Sequence, residues 1–303
     1  MLRVRLLVAT LIIVPLLAMV VADYSIDLGA PGILLVPIGL IAGLVAAAEI
    51  VDMLKANSHD PSAWSVYTGV AVVFLSAAIP LGWDLVGAEY PADCPLGKLG
   101  WPLFAVAIAS VLPFVAELRR YKEPGRSTVN VALAIFIIAY LGLSLAFVAE
   151  LRFFHSNEWG MAALVSLLFI TKFSDAGAYF AGKSLGRNKL APVISPGKTV
   201  EGAIGGVLAA CIASWAFFQF IVPLIVPKAQ TTPFWGSVTY GLLIAVTGII
   251  GDLAESLLKR DLGRKDSSRW LPGLGGILDI LDSVLVAAPP AFMCWAAGIV
   301  GPG

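Results

Sequence analysis

Apolar stretches of about 20 residues recur along nearly the whole chain, and no long polar segment separates them. A stretch of that length is what an α-helix needs to cross the hydrocarbon core of a bilayer. Composition agrees, because 59% of the 303 residues are hydrophobic and 13% are charged, whereas about 25% are charged in ordinary soluble domains. The sequence therefore predicts an all-α, polytopic membrane protein and excludes a soluble fold.

The apolar stretches predict about nine transmembrane helices. The first has an apolar part of 6–22, longer than the 7–15 residues of a signal-peptide core, so a retained helix is expected. The predicted spans are 5–22, 32–53, 65–83, 100–117, 131–149, 160–182, 202–226, 236–257 and 279–300.

The distribution of cationic residues between the predicted loops indicates the orientation of the chain. With a cytoplasmic N-terminus, the loops on the cytoplasmic side hold sixteen of the 20 Lys and Arg residues. The opposite side holds three, namely Lys98, Arg152 and Lys228. An excess of Lys and Arg in cytoplasmic loops is the usual topology signal of membrane proteins. We therefore expect a multi-pass protein of the cell membrane (the inner membrane in a bacterium).

Several functions are disfavoured by composition. The formal net charge is zero, which gives no basic surface for nucleic acid. Three cysteines and two histidines are too scattered for a metal or redox motif. Residues 1–150 are predicted to form a scaffold that faces lipid, and residues 151–303 to carry the functional region, because the unusual polar residues gather there.

Two pairs of acidic residues lie in the last two predicted spans, Asp252 with Glu255 and Asp279 with Asp282. Each pair has i, i+3 spacing and so shares one helix face. An Asp costs about 2.5–3.5 kcal/mol at the centre of a membrane helix, so something must compensate for these charges. Carboxylate oxygens suit Mg²⁺, and the pairs predict a divalent cation site, with a second cation left open.

Two basic segments, 183–201 and 258–278, lie between the predicted spans of the second half. The "GKT" at 197–199 is not a P-loop, because Pro192 occupies the position of the first glycine and no strand is expected before it. A helix is expected to open at Thr199, where free N–H groups could face an anion. The glycines that follow, Gly202 and Gly206, indicate close helix packing.

Two sequence blocks resemble the phosphatidate cytidylyltransferases, also called CDP-diacylglycerol synthases. Residues 256–282, "SLLKRDLGRKDSSRWLPGLGGILDILD", are similar to the family signature of S-x-x-K-R, K-D, L-P-x-H-G-G and D-x-x-D. Residues 174–206, beginning "SDAGAYFAGK", are similar to the family's other shared block. Two positions depart from the pattern: Leu274 replaces the usual His and Ile280 the usual Arg.

The resemblance implies transfer of the cytidylyl group of CTP to phosphatidate, which forms CDP-diacylglycerol and pyrophosphate in a pocket facing the cytoplasm. CTP, phosphatidate, membrane lipids and Mg²⁺ are the implied partners, and a homodimer is left open. The implied catalytic residues are Asp252, Asp279, Asp282, Lys259 and Lys265. The implied metal ligands are Asp252, Glu255, Asp279 and Asp282. The implied substrate-binding residues are Ser174, Asp175, Ser195, Lys198, Glu201, Arg260 and Asp266.

Three alternative functions predict other sequence features. An ion-coupled transporter would use intramembrane acids, but it predicts acids near the midplane, whereas most lie at one face. A CDP-alcohol phosphatidyltransferase requires a D-G-x-x-A-R pattern that "SDAGAYF" breaks. A CTP-dependent kinase or cytidylyltransferase acting on another lipid, of the polyprenol, phytol or archaeol type, remains open.

Overall fold

The computed structural model describes residues 2–26, 28–227, 229–268 and 275–302. Thirteen α-helices account for most of this chain. They are α1 (Leu2–Ser25), α2 (Leu35–Ala56), α3 (Ala63–Ser76), α4 (Leu81–Leu85), α5 (Gly97–Ala109), α6 (Val111–Arg120), α7 (Ser127–Ile137), α8 (Ser144–Arg152), α9 (Asn157–Leu185), α10 (Val200–Ala216), α11 (Val222–Ile225), α12 (Phe234–Asp261) and α13 (Ile277–Ala296). The all-α prediction is confirmed.

Seven helical segments in the described chain are long and apolar enough to cross a membrane. Three of them are composite, since α5 runs into α6, a π-helical turn at Ile138–Leu143 joins α7 to α8, and a second π-helical turn at Phe217–Ile221 joins α10 to α11. All nine predicted spans overlap helices, but the predicted 65–83 is divided into α3, of 14 residues, and the short α4. The predicted count of about nine therefore holds only approximately.

The chain packs into two compact units. The first comprises residues 1–150 and 261–280, and the second comprises 151–260 and 281–303. The functional division predicted at residue 150 stays a prediction, but the segment 261–280 packs with the N-terminal helices.

In the first unit, helices approach closely at glycines, because glycine has no side chain to hold them apart. An ideal Cβ on Gly69 of α3 would lie 2.5 Å from Cδ1 of Ile138. Ile138 is 1% exposed, so α3 packs directly against the π-helical turn. The unit is thus held by close packing of small and branched side chains, as is usual inside membranes.

In the second unit, α9 and α10 pack almost backbone to backbone. A Cβ on Gly177 would lie 2.3 Å from Cβ of Ala209, and a Cβ on Gly205 would lie 2.2 Å from Cβ of Ala181. A Cβ on Gly206 would reach the carbonyl of Ser174 at 3.0 Å. Packing had been predicted as the role of the glycines that open α10, and this prediction is confirmed.

A short β-hairpin connects α9 to α10. Strand β1 (Lys189–Ala191) pairs antiparallel with β2 (Ser195–Thr199), with an irregularity between Lys189 and Ala191. The expectation that no strand precedes "GKT" was wrong, because β1 and the first residues of β2 lie before it and the three residues are themselves part of β2. Their Gly and Pro neighbours hide the strand pattern. The predicted helix start is confirmed, since the hydroxyl of Thr199 accepts a bond from the N–H of Gly202 at 3.0 Å.

Candidate functional site

A cavity of about 470 Å³ lies in the second unit, bounded by α9, the hairpin, α10 and α12. Gly182, Gly197 and Gly202 are among its lining residues, and apolar residues form part of its wall. Four of the predicted site residues line the cavity, namely Ser174, Asp175, Lys198 and Asp252. The polar residues Lys183 and Tyr179 line it as well. The cavity thus brings the 174–206 block together with Asp252 of α12.

Lys198 and Asp252 form an ion pair at the wall of this cavity. Nζ of Lys198, from β2, lies 2.5 Å from Oδ2 of Asp252, from α12. The two side chains are 23% and 35% exposed, although Nζ of Lys198 itself is buried. A cation therefore already lies against the carboxylate that was predicted to bind metal.

Asp175 and Ser174 belong to the part of α9 that borders the cavity. Asp175 accepts a hydrogen bond from Lys172, one helical turn earlier, at 3.3 Å. Ser174 is 4% exposed and lies where α9 contacts α10. The cavity thus has acidic and hydroxyl groups on its α9 side.

Glu201 anchors the hairpin. Its carboxylate accepts bonds from the N–H groups of Arg187 and Asn188, at 3.1 and 3.2 Å, and from the amide of Asn188 at 2.8 Å. It is not among the described residues that line the 470 Å³ cavity. Its predicted contact with substrate stays a prediction, and the contacts present fix the start of the hairpin.

Arg260 and Ser195 lie near the tip of the same hairpin. Nε of Arg260, from α12, donates to the carbonyl of Ile194 at 3.2 Å. Ser195 begins β2 and is half-buried. Together with the Lys198–Asp252 pair, the Arg260 bond joins the hairpin to α12 at two points.

Glu255 and Lys259 form a buried ion pair one turn apart on α12. Their charged atoms lie 2.6 Å apart, and the side chains are 1% and 11% exposed. Neither residue is among those that line the cavity. The predicted metal-supporting role of Glu255 and catalytic role of Lys259 stay predictions, while the pair itself neutralises two charges inside the bundle.

Asp282 lies where α13 meets α12. It is 8% exposed, and its Oδ1 accepts bonds from the N–H and hydroxyl of Ser283 at 2.5 and 3.0 Å. An ideal Cβ on Gly251 would lie 2.5 Å from the carbonyl oxygen of Asp282. The backbone of Asp282 therefore packs beside the residue that precedes Asp252.

In the first unit, Asp279 is held by three hydrogen bonds. Its Oδ2 accepts from the N–H and hydroxyl of Ser267, at 3.0 and 2.6 Å, and from the N–H of Gly276 at 2.7 Å. Lys265 and Asp266, also predicted from the signature, are exposed. Leu271, Pro272 and Leu274, which belong to the same signature, lie outside the described residues.

Glu49 of α2 is the polar residue that the sequence analysis missed. It is 6% exposed, and its carboxylate accepts four bonds, all at 2.9–3.0 Å. The donors are the hydroxyls of Ser267 and Ser268 and the N–H groups of Ile277 and Leu278. The signal was present, because an acid inside an apolar helix normally has a specific partner.

The acidic residues predicted as metal ligands fit the coordination of a hard cation such as Mg²⁺ only in part. No group of three or more His, Cys, Asp or Glu side chains able to hold a metal ion occurs in the described part of the chain. Mg²⁺, however, is usually bound through one or two carboxylates, with water and phosphate oxygens completing its shell. Asp252, which faces the cavity and a cationic group, fits this requirement, and the neighbouring Asp282 supplies a second carboxylate.

Comparison with known proteins gives a match over almost the whole chain. The model of the cytidylyltransferase family covers residues 3–297. The chain belongs to this family. The resemblance inferred from the two sequence blocks is therefore confirmed, and the seven long apolar segments mark a multi-pass membrane member of the cytidylyltransferases.

Curated relatives match this cytidylyltransferase over shorter stretches. The phosphatidate cytidylyltransferase of Haemophilus influenzae is 38% identical over 135 residues, 45% of this chain and 46% of the relative. The phosphatidate cytidylyltransferase of Bacillus subtilis is 39% identical over 150 residues, 50% and 52% of the two chains. The Escherichia coli protein YnbB, described as uncharacterized, is 44% identical over 138 residues, 45% and 44%. The chain spans about half the length of the curated relatives it matches.

Proposed function

We propose that this protein transfers the cytidylyl group of CTP to phosphatidate and forms CDP-diacylglycerol and pyrophosphate. The observation that carries the proposal is the cavity in which Lys198 of the 174–206 block pairs with Asp252 of α12, the helix that leads into the 256–282 block. The relatives called phosphatidate cytidylyltransferase, at 36–39% identity, support the choice of substrates.

The reaction needs no nucleophilic side chain, because the substrate supplies its own. A phosphate oxygen of phosphatidate attacks the α-phosphorus of CTP, and a new P–O bond forms. The bond from the α-phosphorus to the oxygen that bridges to the β-phosphorus breaks, and its electron pair leaves with pyrophosphate. The reaction brings two anions together and moves negative charge onto the leaving group, so positioned positive charge is the main requirement.

Lys198 and Lys183 are the cations that line the cavity. The side chain of Lys198 is 23% exposed and is paired with Asp252. Its ammonium group is therefore held in place before substrate arrives. Such preorganised charge costs no rearrangement at the moment of reaction. We assign Lys198 to the triphosphate, while Ser174 and Asp175 form the polar wall on the α9 side.

Asp252 and Asp282 are the residues assigned to Mg²⁺. A bound Mg²⁺ would neutralise phosphate oxygens and favour in-line displacement. The role of the protein residues is to present Asp252 at the cavity with the cationic side chain of Lys198 beside it, while Asp282, which is not among the lining residues, lies on the adjacent helix α13. Asp279 stays a predicted catalytic residue on the evidence of the signature.

The cavity is assigned to the cytoplasmic side. Sixteen of the 20 Lys and Arg residues fall in loops on the side that carries both basic segments, and an excess of cations marks the cytoplasm. CTP would then reach the cavity from the cytoplasm and the lipid from the membrane.

The test is turnover by the purified protein in detergent with lipid. CTP labelled at the α-phosphorus is supplied with phosphatidate, a polyprenol or phytol, and products are separated by chromatography. Label in a CDP-lipid, with release of pyrophosphate, is the expected result for phosphatidate alone. Release of CDP with a phosphorylated alcohol would overturn the proposal in favour of a lipid kinase, and no turnover with any lipid would favour transport.

A further inference from the structure

Glu49 holds together two parts of the family signature that are separated along the chain. Through Ser267 and Ser268 it contacts the segment after the K-D pair, and through the N–H groups of Ile277 and Leu278 it contacts the start of α13. The partners lie 218 to 229 positions away in sequence. A single carboxylate of α2 therefore sets the distance between these two segments.

The same network reaches Asp279. The hydroxyl of Ser267 lies 2.9 Å from Oε2 of Glu49 and 2.6 Å from Oδ2 of Asp279, so its single proton is shared between the two carboxylates. Asp279 also accepts from the N–H of Gly276, and no side chain fits at that position. An ideal Cβ on Gly276 would lie 2.4 Å from both carboxylate oxygens of Glu49 and 2.1 Å from Oγ of Ser267.

A second bond from α2 strengthens this arrangement. The amide of Asn57, immediately after α2, donates to the carbonyl of Leu262 at 2.8 Å. Residues 262, 267 and 268 are thus tied to one rigid helix. Free N–H groups at a helix start attract a carboxylate, and four converging donors make Glu49 a well-satisfied buried charge.

We propose that Glu49 is a positioning residue for the reaction: through Ser267 and the first turn of α13 it fixes Asp279. Glu49 makes no contact with substrate in this scheme. The proposal deepens the proposed function and rests on it, because Asp279 is assigned to catalysis from the signature.

The central variant is Glu49→Gln, which keeps the shape but gives an amide that cannot accept four bonds. We expect kcat to fall roughly a hundredfold, as a displacement of about 1 Å does at a catalytic group. KM for CTP should change less than threefold, because no substrate contact is lost. Glu117→Gln is the matched control: Glu117 is 7% exposed in the same unit and pairs with Arg120, so kcat should stay within twofold.

A double-variant cycle separates positioning from general destabilisation. Ser267→Ala should lower kcat about as much as Glu49→Gln, and the double variant should be no worse than either, because the residues act as one unit. Losses that multiply would overturn the proposal. If Glu49→Gln does not fold, Glu49→Asp and Ser267→Ala carry the test, and wild-type kcat in both would equally overturn it.

Limited trypsin digestion provides a readout that needs no turnover. Lys265 is exposed, and cleavage after it should accelerate about tenfold in Glu49→Gln but not in Glu117→Gln, as followed by mass spectrometry. Accelerated cleavage in a protein whose wild type makes no CDP-lipid would refute the proposed function while supporting the anchoring role. Wild-type kcat and cleavage in Glu49→Gln would refute the positioning role alone.

Discussion

Nζ of Lys198 lies 2.5 Å from Oδ2 of Asp252 and ties strand β2 to helix α12. Lys198 belongs to the 174–206 block that resembles the family, Asp252 lies four positions before the 256–282 block, and both line the same cavity. The pair places positive and negative charge side by side at the point where a metal–triphosphate complex would need one of each.

Lys198→Met should lower kcat/KM for CTP by about a hundredfold, because removal of one preorganised group that stabilises developing charge costs 10²–10³ in rate. Steady-state kinetics with phosphatidate in excess measures this. Lys189→Met is the control, since Lys189 is an exposed cation of the same hairpin. An equal loss of kcat/KM in the two variants would show that the total positive charge of the hairpin matters and not the position of Lys198.

Asp282→Asn and Asp279→Asn should each reduce turnover by about 10³-fold or more while the protein stays folded in detergent. The loss reflects several kcal/mol of transition-state stabilisation, at about 1.4 kcal/mol for each factor of ten. Asp84→Asn, at an exposed position of α4, should have no effect. Wild-type turnover in either of the first two variants would remove that residue from the catalytic set.

Chelation by EDTA should stop the reaction, and added Mg²⁺ should restore it. Removal of the metal should stop turnover because, without a cation, the carboxylates of the protein would repel the phosphates of the substrates. Turnover that persists in excess EDTA would contradict the assignment of Asp252 and Asp282 to a cation.

Breaking the Glu255–Lys259 pair should destabilise the protein strongly. Either Glu255→Gln or Lys259→Met removes one partner of a buried ion pair, at a cost of about 3–5 kcal/mol, whereas replacing both partners can be nearly neutral. Thermal unfolding of the detergent-solubilised protein should show a large fall in Tm for each single variant. A partial recovery is expected in the double variant, and a double variant as unstable as the singles would argue that the pair has another function.

Gly251→Ala should separate α12 from α13, because the added Cβ would lie 2.5 Å from the carbonyl of Asp282. Overpacking of this kind costs about 1–3 kcal/mol, and turnover should fall with it. Gly248→Ala is a matched control on the same helix, where the nearest atom to the new Cβ is 3.7 Å away. Similar effects of the two changes would show that helix propensity, and not contact, is responsible.

The helices could be predicted from the sequence because hydropathy over about 20 residues is dictated by the bilayer itself. The β-hairpin could not, since β1 has three residues and β2 contains Pro196 and Gly197, which obscure any alternation. The pairing of Lys198 with Asp252 was also beyond local patterns, because it joins positions in different elements.

Glu49 shows a second limit of sequence reasoning. It lies one turn from Asp52 in a helix that is otherwise apolar for most of its length, and its donors come from a segment more than 200 positions later. The i, i+3 rule that singled out the other acids has no means of finding such a partner. Only the fold of the first unit shows why the charge is there.

The contact between α9 and α10 has one more consequence. Because Gly177 and Gly205 leave no side chain between the two backbones, sliding of one helix along the other would bring alanine methyls into collision. The two helices should therefore move together as one rigid unit. Any widening of the neighbouring cavity to admit a lipid would then have to come from the hairpin tip or from α12.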